Sequence, residues 1–121
     1  MSQSSCQPCR WSVRIRIRRG EELLFGSGAA RLLEATGRLG SLRAAAQEMG
    51  MSYRKALEII RRSEAGLGQP LLEKSIGGAG GGGSRLTEYA RSLTDRFTAL
   101  ERSVNDYART LVRQSLPELA E

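Results

Sequence analysis

Two groupings of residues in this chain could do chemistry. The first is Cys6-Gln7-Pro8-Cys9, two thiols spaced to chelate a soft metal ion. Zinc held by thiolates wants four ligands, and the sequence has two Cys and no His. Only the tails of two copies could complete such a site, so the expectation is a pair of reduced thiols, with no metal and no cofactor. The second grouping is Ser52-Tyr53-Arg54-Lys55, a helix-capping hydroxyl followed by a ring and two cations. Cations in the first turn of a helix suit the edges of DNA bases, where Arg or Lys donates to guanine O6 and N7 for ~1–3 kcal/mol of discrimination.

Other chemistries are excluded by what is missing. Without His the usual general base near neutral pH is absent, Ser-His-Asp and Cys-His sites cannot be assembled, and no carboxylate pair stands out. The run Gly77-Gly78-Ala79-Gly80-Gly81-Gly82-Gly83 invites comparison with a phosphate-binding loop. That motif requires Lys and then Ser or Thr opening a helix, whereas Ser84-Arg85 follows here. The chain is not expected to be an enzyme. Its 19 Lys+Arg against 13 Asp+Glu, net +6 with a pI near 10.1, point to an anionic partner. The excess lies in the first half: residues 38–62 hold six basic and two acidic groups, residues 87–121 five and six.

These residues need elements to position them. A length of 121 residues suits one domain, and with only six aromatic residues the core must rest on Leu, Ile, Val and Ala, which favours helices. Trp11 to Arg18 alternates apolar and polar residues like a strand; Arg19-Gly20-Glu21-Glu22 reads as a turn and Leu23-Leu24-Phe25 as the returning strand. The exposed row Arg14, Arg16 and Arg18 reads as a solvated strand face. Helical spacing then predicts a first helix from Ser27 to about Thr36, closed by Gly37 and Gly40. A second, capped by Ser41, covers Leu42 to Met49, and a third, capped by Ser52, runs from Tyr53 to about Ala65 with Ala56, Leu57, Ile59 and Ile60 facing inward.

Helices two and three are separated by Gly50-Met51-Ser52 alone, and Ala44-Ala45-Ala46 allows close backbone approach, the pattern of a helix-turn-helix. A plain helical hairpin shares that pattern. Behind it, Pro70 to Ile76, the glycine run and Ser84-Arg85-Leu86 read as strand, tip and strand, a wing; a flexible linker would instead lack strands. From Leu86 the apolar residues Ala90, Leu93, Phe97, Leu100, Val104, Tyr107 and Leu111 alternate spacings of four and three, a heptad seam. A helix from Thr87 to about Gln114 would be ~40 Å long, more than the domain needs for its own cover. The seam is expected to meet a second copy, Pro117 to end the helix, and no apolar run to span a bilayer.

Gly40-Ser41-Leu42-Arg43-Ala44-Ala45-Ala46-Gln47-Glu48-Met49-Gly50-Met51-Ser52-Tyr53-Arg54-Lys55-Ala56, with the glycine run ahead of Ser84-Arg85-Leu86-Thr87, resembles the N-terminal DNA-binding domain of the molybdate-responsive ModE family. That domain is a winged helix-turn-helix related to the LysR-type one. The similarity runs from about Val13 to Leu111 and implies a homodimer held by the long C-terminal helix. Family members that sense molybdate do so in separate C-terminal domains, for which this chain has no room, so no molybdate site is expected.

The expected fold is therefore mainly α with small β: a winged helix-turn-helix with an N-terminal hairpin and a long C-terminal dimerisation helix. Residues 1–12 are expected to form a flexible tail, 13–86 the DNA-binding domain, 87–115 the dimerisation helix and 116–121 a tail. The expected function is a cytoplasmic, dimeric transcriptional regulator reading an inverted repeat in double-stranded DNA. Ser52, Tyr53, Arg54 and Lys55 would enter the major groove, Arg43, Arg61 and Arg62 meet phosphates, and Lys74, Ser84 and Arg85 flank the wing. Phe97, Leu100, Val104, Tyr107 and Leu111 would form the dimer interface. The alternative is a protein-interaction or metallo-regulatory adaptor using the long helix and the Cys pair. An RNA-binding role is disfavoured by the scarcity of aromatic platforms.

Overall fold

The computed structural model describes residues 8–75 and 83–120. Cys6 and the glycine run up to Gly82 lie outside the described residues. Strands β1 (Arg16–Arg19) and β2 (Glu22–Gly26) precede helices α1 (Ser27–Leu39), α2 (Leu42–Glu48) and α3 (Tyr53–Leu67). Strands β3 (Leu72–Ser75) and β4 (Gly83–Leu86) and helix α4 (Glu88–Ser115) follow, and a 3-10 turn spans Pro117–Leu119.

One core joins them. Leu32 and Leu33 of α1, Ala45 and Ala46 of α2, and Ala56 and Ile60 of α3 are buried together with Phe25, Leu71, Leu86, Ala90 and Phe97. The small residues on α2 and α3 let those helices approach closely, and the leucines of α1 fill the space behind them. Ser41, Ser52 and Thr87 cap α2, α3 and α4, each side-chain oxygen accepting from the backbone N–H three residues on at 3.0–3.1 Å. Each cap contributes about 1 kcal/mol.

Helix α1 runs past its expected end. Gly37 lies within the helix, and its missing side chain makes room for Leu86: a Cβ there would lie 3.2 Å from Leu86 Cδ1. The stop comes at Gly40, which takes the left-handed conformation at φ +73° and closes the helix with its N–H on Thr36 O.

The N-terminal hairpin is shorter than the alternating pattern suggests, and its register shifts between Ile17 and Arg18, leaving Leu24 of β2 without a partner on β1. The chain before Arg16 is tied to α4 instead. Val13 N–H donates to Asn105 Oδ1 (3.1 Å), and Asn105 Nδ2 donates to Val13 O (3.2 Å). One amide side chain thus satisfies both backbone groups, as a neighbouring strand would. Trp11 lies beside Arg109, whose guanidinium is 5.7 Å from the indole, and Trp11 lines an apolar hollow with Val112, Leu116 and Leu119.

The seam of α4 divides. Ala90 and Phe97 are buried in the protomer, Phe97 meeting Phe25 edge-to-face at 5.2 Å. Phe97, expected at the dimer interface, is thus a core residue at 4% exposure, enclosed because β2 brings Phe25 onto it. Beyond it, Leu100, Tyr107 and Leu111 are 46%, 67% and 42% exposed.

Candidate nucleic-acid interface

The site begins with the connection between α2 and α3. Gly50 turns the chain at φ +75°, its N–H donating to Gln47 O (3.1 Å), and Met51 N–H donates to Ala46 O (2.9 Å). Backbone hydrogen bonds therefore hold the angle between the helices. With Ala56, Ile60 and Ser63 turned inward, α3 exposes Tyr53, Arg54, Lys55, Glu58 and Arg61. Ser63 Oγ donates to Leu24 O (2.8 Å), tying the back of α3 to the hairpin.

β3 and β4 flank this helix pair as an antiparallel ribbon, with Glu73 opposite Arg85 and Lys74 opposite Ser84. The ribbon is latched to the turn between α1 and α2: Ser84 N–H donates to Gly40 O at 3.0 Å. Gly83 makes the latch possible, since a Cβ there would stand 2.5 Å from that same carbonyl oxygen. The start of the ribbon is held by Glu64 of α3, whose Oε2 accepts from Leu71 N (2.8 Å) and Leu72 N (3.4 Å). Sequence reasoning missed Glu64, Asn105 and the latching role of Gly83. Their partners are remote in sequence, and nothing in their immediate neighbours signals them.

The cations expected to meet DNA sort into two groups. Arg85 Nε is 2.9 Å from Glu73 Oε2 across the ribbon, and Arg62 Nη2 is 4.0 Å from Glu58 one turn earlier. Arg43, Arg54, Lys55, Arg61 and Lys74 are exposed and have no carboxylate partner among the described residues. Arg43 is held differently, its guanidinium lying 4.2 Å over the centroid of the Tyr53 ring. Together with Ser41, Leu42, Lys74, Gly83 and Ser84, these two residues line a notch of ≈ 450 Å³ between α2, the start of α3 and the root of the ribbon.

Behind the notch, Arg38 bridges α1 and α2, reaching Glu48 at 2.5 Å and Glu34 at 3.3 Å. The hydrogen bond from Arg38 holds the Glu48 carboxyl below the usual range, and both acids hold the guanidinium more firmly protonated. This cation is committed to the scaffold. Among the described residues no helix is long and apolar enough to cross a membrane.

Two short helices at a fixed turn, an exposed cationic second helix and a ribbon at its side define the class as a winged helix-turn-helix. The model of the family described as "Bacterial regulatory helix-turn-helix protein, lysR family" matches residues 28–91, and the chain belongs to that family. It is 30% identical over 105 residues to the transcriptional regulator ModE of Haemophilus influenzae, covering 87% of this chain and 41% of that one. It is 40% identical over 76 residues to the molybdenum-pterin-binding protein MopA of Rhodobacter capsulatus, covering 63% of this chain and 29% of the relative. The chain thus spans well under half the length of these curated relatives. Among solved structures, the crystal structure of the CbnR_DBD–DNA complex matches with a TM-score of 0.56 and 25% identity, over 71% of this chain and 97% of that one.

Proposed function

We propose that this chain is a dimeric, sequence-specific DNA-binding transcriptional regulator of the ModE-like type, acting in the cytoplasm. Residues 13–86 form the DNA-reading unit and residues 87–115 the arm that pairs two copies. The carrying observation is the group of exposed cations that have no carboxylate partner among the described residues, at the start of α3 and beside the ribbon. The likeness to a domain solved on DNA supports the same reading.

In this reading α3 lies in the major groove. Arg54 and Lys55 reach base edges, and Ser52, whose oxygen already accepts from Lys55 N–H, keeps its hydroxyl proton to donate. Arg43 and Arg61 meet phosphates, while Lys74 and Ser84 at the ribbon hold the flanking backbone. Arg62 and Arg85 contribute less, because each already shares its charge with a carboxylate. The bare half of the α4 seam, Leu100 to Leu111, faces a second copy and makes the target an inverted repeat.

Selection of bound duplexes from a random pool tests this directly. The expected winner is an inverted repeat whose affinity falls steeply with salt, in proportion to the phosphates neutralised. Enrichment of no duplex over the starting pool would reject it and favour an adaptor role for α4.

A further inference from the structure

Tyr53 opens the helix assigned to the groove, and its ring would ordinarily be read as a base contact. The structure places another group on it: the Arg43 guanidinium, 4.2 Å above the ring centroid. Tyr53 is 37% exposed, so one face is covered while the residue still borders the notch. A guanidinium held by a ring spends none of its N–H donors on a carboxylate, and its charge stays uncompensated. A free surface arginine must give up rotamer freedom when it binds; one already stacked loses less. Lys74 and Ser84, opposite each other on the ribbon, form the far wall; among the described residues no acidic side chain lines the notch, Glu64 and Glu73 belonging to the adjoining hollow. The root of the ribbon is joined to Gly40 by the Ser84 hydrogen bond, which ties the ribbon's backbone to the start of α2.

We propose that the notch is a preset clamp for a single backbone phosphate, gripped by Arg43 and Lys74, in which Tyr53 is a positioning residue that holds Arg43 rather than a reader of bases. This rests on the DNA-binding reading above and assigns one subsite within it.

The test uses the full chain and the duplex obtained by selection, with phosphates replaced one at a time by uncharged methylphosphonates. For the wild type, neutralising one phosphate per half-site should weaken binding about tenfold. Arg43→Ala should shrink the penalty for neutralising that phosphate and lower the salt slope by about one per site, and Arg43→Ala combined with Lys74→Ala should make binding indifferent to charge there. Tyr53→Leu, which keeps apolar cover without a ring, should weaken binding about two- to fivefold at that same phosphate. It should add nothing further in combination with Arg43→Ala, and Tyr53→Phe should restore most of the loss. Thermal midpoints of the variants identify any loss that comes from unfolding, and Arg43→Lys, which leaves Tyr53 in place, should fall between wild type and Arg43→Ala.

Losses from Tyr53→Leu and Arg43→Ala that multiply in the double variant would overturn the clamp, as would Tyr53→Phe binding as weakly as Tyr53→Leu, which would make the hydroxyl a direct contact. Either result leaves DNA binding itself standing. A wild type that binds no duplex in a salt-dependent way removes the functional reading and the clamp together.

Discussion

Arg54 and Arg85 carry the same charge, yet their surroundings give them different amounts to offer DNA. Arg54 forms no ion pair among the described residues, whereas Arg85 must loosen Glu73 at 2.9 Å before it can neutralise a phosphate. Arg54→Ala is therefore expected to weaken the selected duplex by ~1–3 kcal/mol while changing non-specific binding much less. Competition titrations against random duplex measure both, and equal losses on the two would argue that Arg54 touches only backbone. Lys74→Ala should flatten the salt dependence more than Arg85→Ala. Glu73→Gln, by freeing Arg85, should tighten binding at low salt. Affinity measured across a salt series separates these, and a Glu73→Gln protein no tighter than wild type would show that the ribbon arginine stays off the DNA.

At the scale of elements, two glycines decide where the ribbon and the hairpin sit. Gly83→Ala would set a Cβ against the backbone carbonyl of Gly40, which cannot rotate away, so the ribbon must lift from the helix pair. Gly66→Ala meets only the end of the Leu24 side chain, which has other rotamers. Both substitutions should destabilise by ~1–3 kcal/mol in denaturant titrations, but Gly83→Ala should also weaken DNA binding, and Gly66→Ala should spare it. The staple between α1 and α2 has a pH signature. Because Arg38 depresses the folded-state pKa of Glu48, its contribution is present at neutral pH and fades as pH falls through that value. The difference in thermal midpoint between wild type and Glu48→Gln should be small, since the pair is exposed, and should shrink as the pH falls from neutral to below the usual carboxylate range. A difference that stays constant through that acidification would mean that the carboxylate charge is not what matters.

For the whole molecule, α4 presents two flanks. At about 100° per residue, Leu100, Tyr107 and Leu111 share one side, and Glu101, Asn105 and Val112 the neighbouring side. The second side is already occupied: Asn105 holds Val13, Glu101 accepts from the Ser27 hydroxyl, and Val112 lines the hollow with Trp11. On the first side Leu100, Tyr107 and Leu111 are exposed, with Val104 half-buried between them. Leu100→Asp should leave the protomer's stability nearly unchanged, yield monomers in sedimentation and weaken binding to an inverted repeat. Phe97→Ala should instead cost ~3–5 kcal/mol of stability, because it empties the contact with Phe25. A Leu100→Asp protein that sediments as a dimer would move the interface elsewhere.

What could be read without coordinates was local. Ser41, Ser52 and Thr87 announce helix starts through side-chain-to-backbone bonds closed within three residues, and Gly40 marks an end through a backbone state that other residues adopt at a cost. The pair of short helices, the heptad seam and the concentration of charge in residues 38–62 follow from the sequence by itself, whereas the choice of a helix-turn-helix over a plain helical hairpin drew on the family resemblance. Tertiary packing decided the rest. It placed Phe97 in the core and left Leu100 outside, drew the chain around Val13 away from β2 onto Asn105, paired Arg85 with Glu73 and set Arg43 on Tyr53. Each of these depends on side chains brought together by the packing of separate elements, and periodicity along one element carries no information about what another will bring to its surface.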